Sequence, residues 1–189
     1  EMFIEENTLI AIADYVLGRT PGNTVSNLSS SRGLRDVTEK HNSTYHAAAV
    51  GEVNVVTRMK EVDAVIGGEG NGGVIYPALH YGRDALVGVA LFLTLMARSG
   101  KSVSGIKASL PAYAIAKNKI QLTPDIDVDA ILEAVKEKYS GEKITDIDGV
   151  KIDFPTSWVH LRKSNTEPII RIYSEAPTMK EAEELAESI

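Results

Sequence analysis

The residues best equipped for chemistry are Arg162-Lys163-Ser164-Asn165-Thr166-Glu167-Pro168. Between Arg162 and Thr166 they offer a guanidinium, two hydroxyls, a side-chain amide and backbone N–H groups. That set suits a phosphate, whose charged oxygens are strong hydrogen-bond acceptors. Arg serves better than Lys here because its planar fork grips two oxygens at once. Successive N–H groups in a turn form a concave anion site, and the hydroxyls rotate to complete it. Ser157–Leu161 and Ile169–Tyr173 read as strands, so the stretch is expected to be the loop between them. Pro168 stiffens the exit and holds Glu167 extended. The same residue types also favour an ordinary polar turn, so on composition alone both readings stand.

A second stretch, Gly67-Gly68-Glu69-Gly70-Asn71-Gly72-Gly73, follows the short apolar strand expected at Ala64-Val65-Ile66. Dense glycine lets a ligand approach the backbone closely. No Gly-Lys-Ser/Thr follows, and the one ionisable side chain is negative, which excludes a nucleotide phosphate loop. A carboxylate at a strand end is suited to accept hydrogen bonds from the hydroxyls of a sugar. Ligands of open α/β sheets bind beyond the carboxyl ends of the strands, where Glu69 falls. The competing reading is a flexible glycine-rich turn.

Arg162-x-Ser164-Asn165-Thr166-Glu167-Pro168, followed by an apolar strand with an internal Arg, resembles the phosphate-binding loop of the α-D-phosphohexomutases. Gly68-Glu69-Gly70-Asn71-Gly72-Gly73 resembles their sugar-recognition loop, commonly Gly-Glu-x-Ser-Gly-His. Glu69 falls on the family's sugar-binding Glu, Asn71 on its Ser and Gly73 on its His. Val50-Gly51-Glu52-Val53 resembles a Thr/Val-Gly-His turn, with Glu52 in the place of that His. Glu52 also reads as a carboxylate stabilising a helix start.

The resemblance implies substrate binding by Glu69, Asn71, Arg162, Ser164, Asn165 and Thr166. It implies phosphoryl transfer through a phosphoserine and a hexose 1,6-bisphosphate, interconverting hexose 1- and 6-phosphates, with magnesium as cofactor. The family's Thr-Ala-Ser-His-Asn-Pro-type loop and Asp-x-Asp-x-Asp-Arg metal loop have no counterpart in these 189 residues. The expectation is therefore a C-terminal portion carrying the third and fourth family domains, with no catalytic residue, no bound metal and no activity alone. Its partners would be hexose phosphates and the preceding domains of the same protein. A phosphoglucosamine mutase portion and a stand-alone sugar-phosphate binding module are the alternatives.

Composition bounds the reading. A net charge of −6 argues against a general nucleic-acid or membrane-surface binder. Cysteine is absent, which removes disulfides and thiolate chemistry and is compatible with a cytoplasmic protein. The longest apolar run, Ala85 to Ala97, is too short to span a bilayer and reads as a buried helix.

These sites need elements to position them. Apolar residues at helical spacing predict a helix over Glu5–Leu17, ended by Gly18 and the Thr20-Pro21-Gly22 turn. A strand at Thr24–Leu28, a helix at Arg32–Lys40 capped by Ser31, a strand at Thr44–Ala49 and a helix at Val53–Lys60 follow. Asp84 is placed to cap a helix over Ala85–Arg98. Arg83 reads as a surface residue or a second anion contact, and His80, near Tyr76 and Tyr81, as packing. A short helix at Ser102–Leu110 ends at Pro111. Alternating helices and strands predict an α/β domain over 1–110, with a mostly parallel sheet and helices on both faces. Strands at Ala112–Leu122, Glu142–Asp146, Val150–Phe154 and around Trp158, with helices Val128–Tyr139 and Thr178–Ile189, predict an α+β domain with an antiparallel sheet over 111–189.

Overall fold

A computed structural model describes residues 2–123, 126–164 and 167–189. The chain divides into two compact units, Glu1–Ala112 and Tyr113–Ile189.

In the first unit the elements are α1 (Glu5–Leu17), β1 (Thr24–Asn27), α2 (Gly33–Lys40), β2 (Tyr45–Ala48), α3 (Glu52–Glu61), β3 (Ile66–Glu69), β4 (Gly73–Ile75), α4 (Ala85–Ser99) and α5 (Val103–Lys107). The sheet order is β2-β1-β3-β4; β1 runs parallel to β2 and β3, and β4 returns antiparallel to β3. Leu9, Ile10, Ala13 and Val16 of α1 meet Leu34 and Val37 of α2, Ile66 and Val74 on one face. On the other face Val55 and Met59 of α3 pack against Val25, Ala48 and Ile75. Helices thus cover both faces of a mixed, mostly parallel sheet, as the alternating pattern predicts. Asp84 caps α4, accepting from the N–H groups of Leu86 and Val87. The rest of α4 is less enclosed than its composition suggests. Leu86, Val89 and Leu93 are exposed, and only Gly88 is buried.

Other expectations also need correction. The glycine-rich stretch is not a loop throughout: Gly67, Gly68 and Glu69 belong to β3 and Gly73 to β4, which leaves a turn over 70–72. Glycine weakens strands in general, but packing overrides that preference here. A Cβ on Gly67 would lie 2.6 Å from Met59 Sδ, and one on Gly68 would run into the carbonyl oxygen of Gly73 across the hairpin. The helix expected from Val53 begins at Glu52.

The second unit contains β5 (Ala114–Gln121), α6 (Val128–Lys138), β6 (Lys143–Thr145), β7 (Val150–Asp153), β8 (Trp158–Lys163), β9 (Ile169–Ala176) and α7 (Met179–Ser188). Its antiparallel sheet has the order β5-β9-β8-β7-β6. Val128, Leu132 and Val135 of α6 and Ala186 of α7 pack on Val150, Ile152, Val159, Leu161, Ile170 and Ile172. These alternate residues all point to one face, as the pleat requires. Thr178 and Glu181 form a capping box at the start of α7. Arg162 and Lys163 are not loop residues. They extend β8, paired with Arg171 and Ile170 of β9.

Candidate functional site

Glu69 is the last residue of β3, at the carboxyl end of a parallel strand, and is 5 % exposed. Its Oε1 accepts from Asn27 Nδ2 at 2.9 Å. Asn27 ends the parallel neighbour β1, so both side chains emerge at one end of the sheet. The Asn27 amide is itself oriented: its Oδ1 accepts from the Ser29 N–H at 3.1 Å and from Ser30 Oγ at 2.9 Å. Ser30 Oγ in turn accepts from the Gly70 N–H at 2.8 Å. Ser31 N–H donates to the buried carboxylate of Glu6, and Ser31 Oγ accepts from Gly33 at the start of α2. This serine-rich turn after β1 therefore fastens the hairpin that carries Glu69.

The second oxygen of Glu69 faces Arg83. Arg83 Nη1 lies 3.2 Å from Glu69 Oε2. Glu52 accepts from the Arg83 backbone N–H and from Nε, each at 2.9 Å. These bonds hold the Glu52 carboxyl below the usual carboxylate range, the backbone N–H being the larger cause. Arg83 is exposed, as expected of a surface residue, and is also an ion-paired contact of the candidate site. His80 is 49 % exposed at its side chain and lies 3.0 Å from Asp84 Oδ2, so it supports the α4 cap and does not pack. That bond, with the Val87 and Leu86 N–H groups, lowers the Asp84 pKa. Asn71 is exposed in the hairpin turn, where its Oδ1 accepts from the Gly73 N–H at 3.0 Å.

In the second unit, Arg162 stands directly opposite Arg171. Like charges paired across strands repel unless something neutralises them. Arg171 has a carboxylate: its Nη2 donates to Glu167 Oε2 at 2.9 Å. Arg162 has no such ion pair among the described residues, and its buried Nε has no hydrogen-bond partner there. The Ser164 N–H donates to the Ile169 carbonyl and closes the base of the turn. Asn165 and Thr166, the two remaining residues of the expected phosphate grip, lie outside the described residues.

Arg162 is fixed from below. His160, two residues earlier on the same face, is 1 % exposed and sits 2.7 Å through Nε2 from the Asp148 carbonyl. A carbonyl only accepts, so Nε2 carries the proton. Gly149 follows with φ +69, and a Cβ there would strike the Leu161 carbonyl and come within 2.8 Å of Arg162 Cα. The turn and the strand therefore fit only because residue 149 is glycine.

Among the described residues no three His, Cys, Asp or Glu side chains converge as a metal site needs. No helix among the described residues is long and apolar enough to cross a membrane.

With the geometry in view, comparison with known proteins defines the class. Residues 5–113 match the phosphoglucomutase/phosphomannomutase alpha/beta/alpha domain III, and residues 116–189 match the C-terminal domain of the same family. The chain belongs to the phosphoglucomutase/phosphomannomutase family. It is 35 % identical, over 98 % of its length, to a phosphoglucomutase/phosphomannomutase of Thermococcus kodakarensis, and spans 43 % of that relative. It is 38 % identical over 80 % of its length to a phosphoglucosamine/phosphogalactosamine mutase of Sulfurisphaera tokodaii, spanning 34 % of that protein. The crystal structure of a family protein from Burkholderia thailandensis shares the fold, with TM-score 0.83 and 23 % identity over 99 % of this chain and 40 % of that one.

Sequence reading reached Glu69 and Arg162 through contiguous motifs. It missed Asn27 as a partner of Glu69, although both end parallel strands, and that shared position was the available signal. It also missed the pairing of Arg83 with Glu69, which no spacing rule announces.

Proposed function

We propose that this chain supplies the sugar-recognition and phosphate-gripping parts of a phosphohexomutase. That enzyme would interconvert hexose 1- and 6-phosphates through a phosphoserine and a hexose 1,6-bisphosphate. Glu69, with Asn71 beside it, accepts hydrogen bonds from sugar hydroxyls. Arg162, Ser164, Asn165 and Thr166 hold the phosphate that is not reacting. The observation that carries the proposal is the Arg162–Arg171 pair, in which only Arg171 is matched by a carboxylate among the described residues. Two adjacent guanidiniums with one anion between them favour a second anion.

Remote grips of this kind contribute to catalysis by orientation, since binding energy away from the reacting centre positions it. In the whole enzyme magnesium would supply electrostatic stabilisation of phosphoryl transfer, and no residue of this chain is assigned to it. The chain alone carries no nucleophile of the family type and is expected to show no mutase turnover in a coupled assay with glucose 1-phosphate.

The test is an amide NMR titration with inorganic phosphate and with glucose 6-phosphate. Shifts at Ser164 and its neighbours that disappear in Arg162→Ala support the grip. Shifts that persist unchanged in the variant sink it. The similarity to an amino-sugar mutase favours glucosamine phosphate as the second reading. Glucose, mannose and glucosamine 6-phosphates compared in the same titration separate the two.

A further inference from the structure

Glu52 and Gly73 both meet one residue, Arg83. Arg83 lies with its backbone N–H and Nε on the Glu52 carboxylate and its Nη1 on Glu69. A Cβ built on Gly73 would come 2.6 Å from Arg83 Cδ and 3.0 Å from Asn71 Oδ1. The Arg83 stem therefore occupies the space that any side chain at 73 would need. Its backbone is pinned as well, by a bridge between Ile75 and Arg83 and by the Asp84 N–H donating to the Val74 carbonyl.

We propose that Arg83 is a positioning residue for Glu69, aimed by Glu52 and admitted to the site by the missing side chain at Gly73. The inference rests on the reading of Glu69 as the sugar-hydroxyl acceptor. A buried carboxylate with no partners could turn about its terminal bond and present its lone pairs in several directions. Here each oxygen is assigned: Asn27 Nδ2 holds Oε1 and Arg83 Nη1 holds Oε2. A carboxylate offers about four lone-pair directions, so each oxygen keeps capacity for one substrate hydroxyl in a fixed plane. Preorganisation of this kind raises affinity by removing an ordering cost at binding. Arg suits the position because its rigid fork spans two carboxylates, which a lysine ammonium does not do with the same geometry.

The experiment follows the side-chain amide of Asn27 and the carboxyl carbon of Glu69 by NMR in the 189-residue chain. Without ligand, Arg83→Ala and Gly73→Ala should each move both signals, while Glu52→Ala moves them less. Arg83→Lys should restore part of the wild-type pattern and serves in place of Arg83→Ala if that variant fails to fold. With ligand, Arg83→Ala should weaken glucose 6-phosphate binding about tenfold, through loss of the ion pair that orients Glu69. Inorganic phosphate affinity should stay the same, and unmoved amide signals in α1 and α3 exclude a general loss of structure in the first unit. Unmoved Asn27 and Glu69 signals in both Arg83→Ala and Gly73→Ala overturn the proposal. A wild-type chain whose Glu69 signal ignores glucose 6-phosphate overturns the sugar reading instead, and the ligand-free signals still decide whether Arg83 positions Glu69.

Discussion

The Glu69 hairpin and the Arg162 strand end solve opposite problems. Glu69 is a buried anion whose two oxygens are both engaged, by residues from β1 and from the segment before α4. Arg162 is a cation set opposite a second cation, with no carboxylate of its own among the described residues. The first is an acceptor already ordered for neutral donors. The second is a donor that the proposed function would complete with an added anion. On the function proposed above, hydroxyl recognition at Glu69 would depend on direction and phosphate recognition at Arg162 on unbalanced charge.

The contrast can be broken hardest at its two glycines. Gly149→Val puts a side chain at φ +69 and into the Leu161 carbonyl. We expect a loss of about 3 kcal/mol or more, confined to the second unit. Gly68→Ala makes a comparable collision with the Gly73 carbonyl in the first unit. Denaturant unfolding, read separately by Trp158 fluorescence and by amide exchange in each unit, checks both. Equal losses in both units from either variant would mean that the collision does not act locally.

Next comes pH. Burial of His160 lowers its pKa to about 4. In the unfolded chain the imidazole returns to about 6.5, so that state takes up a proton the folded one refuses. This contribution is therefore complete above pH 6.5, declines as pH falls, and is spent below about pH 4. The loss across that window is about 3 kcal/mol. His160→Gln keeps a donor for the Asp148 carbonyl and should flatten stability between pH 7 and 4. An unchanged slope in the variant would assign the acid sensitivity elsewhere.

Smaller effects sharpen the picture. Asp84→Ala removes two N-cap hydrogen bonds of α4 and the contact with His80. It should cost about 1 kcal/mol in thermal unfolding. Arg162→Ala should change stability by less than about 0.5 kcal/mol, because relief of repulsion from Arg171 offsets lost packing. A large destabilisation would mean that Arg162 is held for the fold and not for a ligand.

Much of this was legible in the sequence. Leu9, Ile10, Ala13, Val16 and Leu17 mark α1, and the helix ends where they do, at Leu17. The βα alternation, the antiparallel second unit and both motif-bearing segments were readable because each depends on neighbours in the chain. What was not readable depends on distant ones. Arg83 meets Glu52 across 31 positions and Asn27 meets Glu69 across 42. Gly67 and Gly68 read as loop because glycine lacks a side chain to pack. Their place in β3 comes from Met59 and from the returning strand, which leave no room for one.

The order β5-β9-β8-β7-β6 leaves two edges on the second sheet. Lys117, Asn118 and Lys119 lie exposed on β5, and the opposite edge, β6, is three residues long and opens with the exposed Lys143. Lysines and short strands discourage one sheet from extending into another. The ammonium groups that border this sheet thus also act against aggregation, and replacing Lys117 with valine should make the chain more fibril-prone while Lys119, which stands opposite Arg171, stays in place.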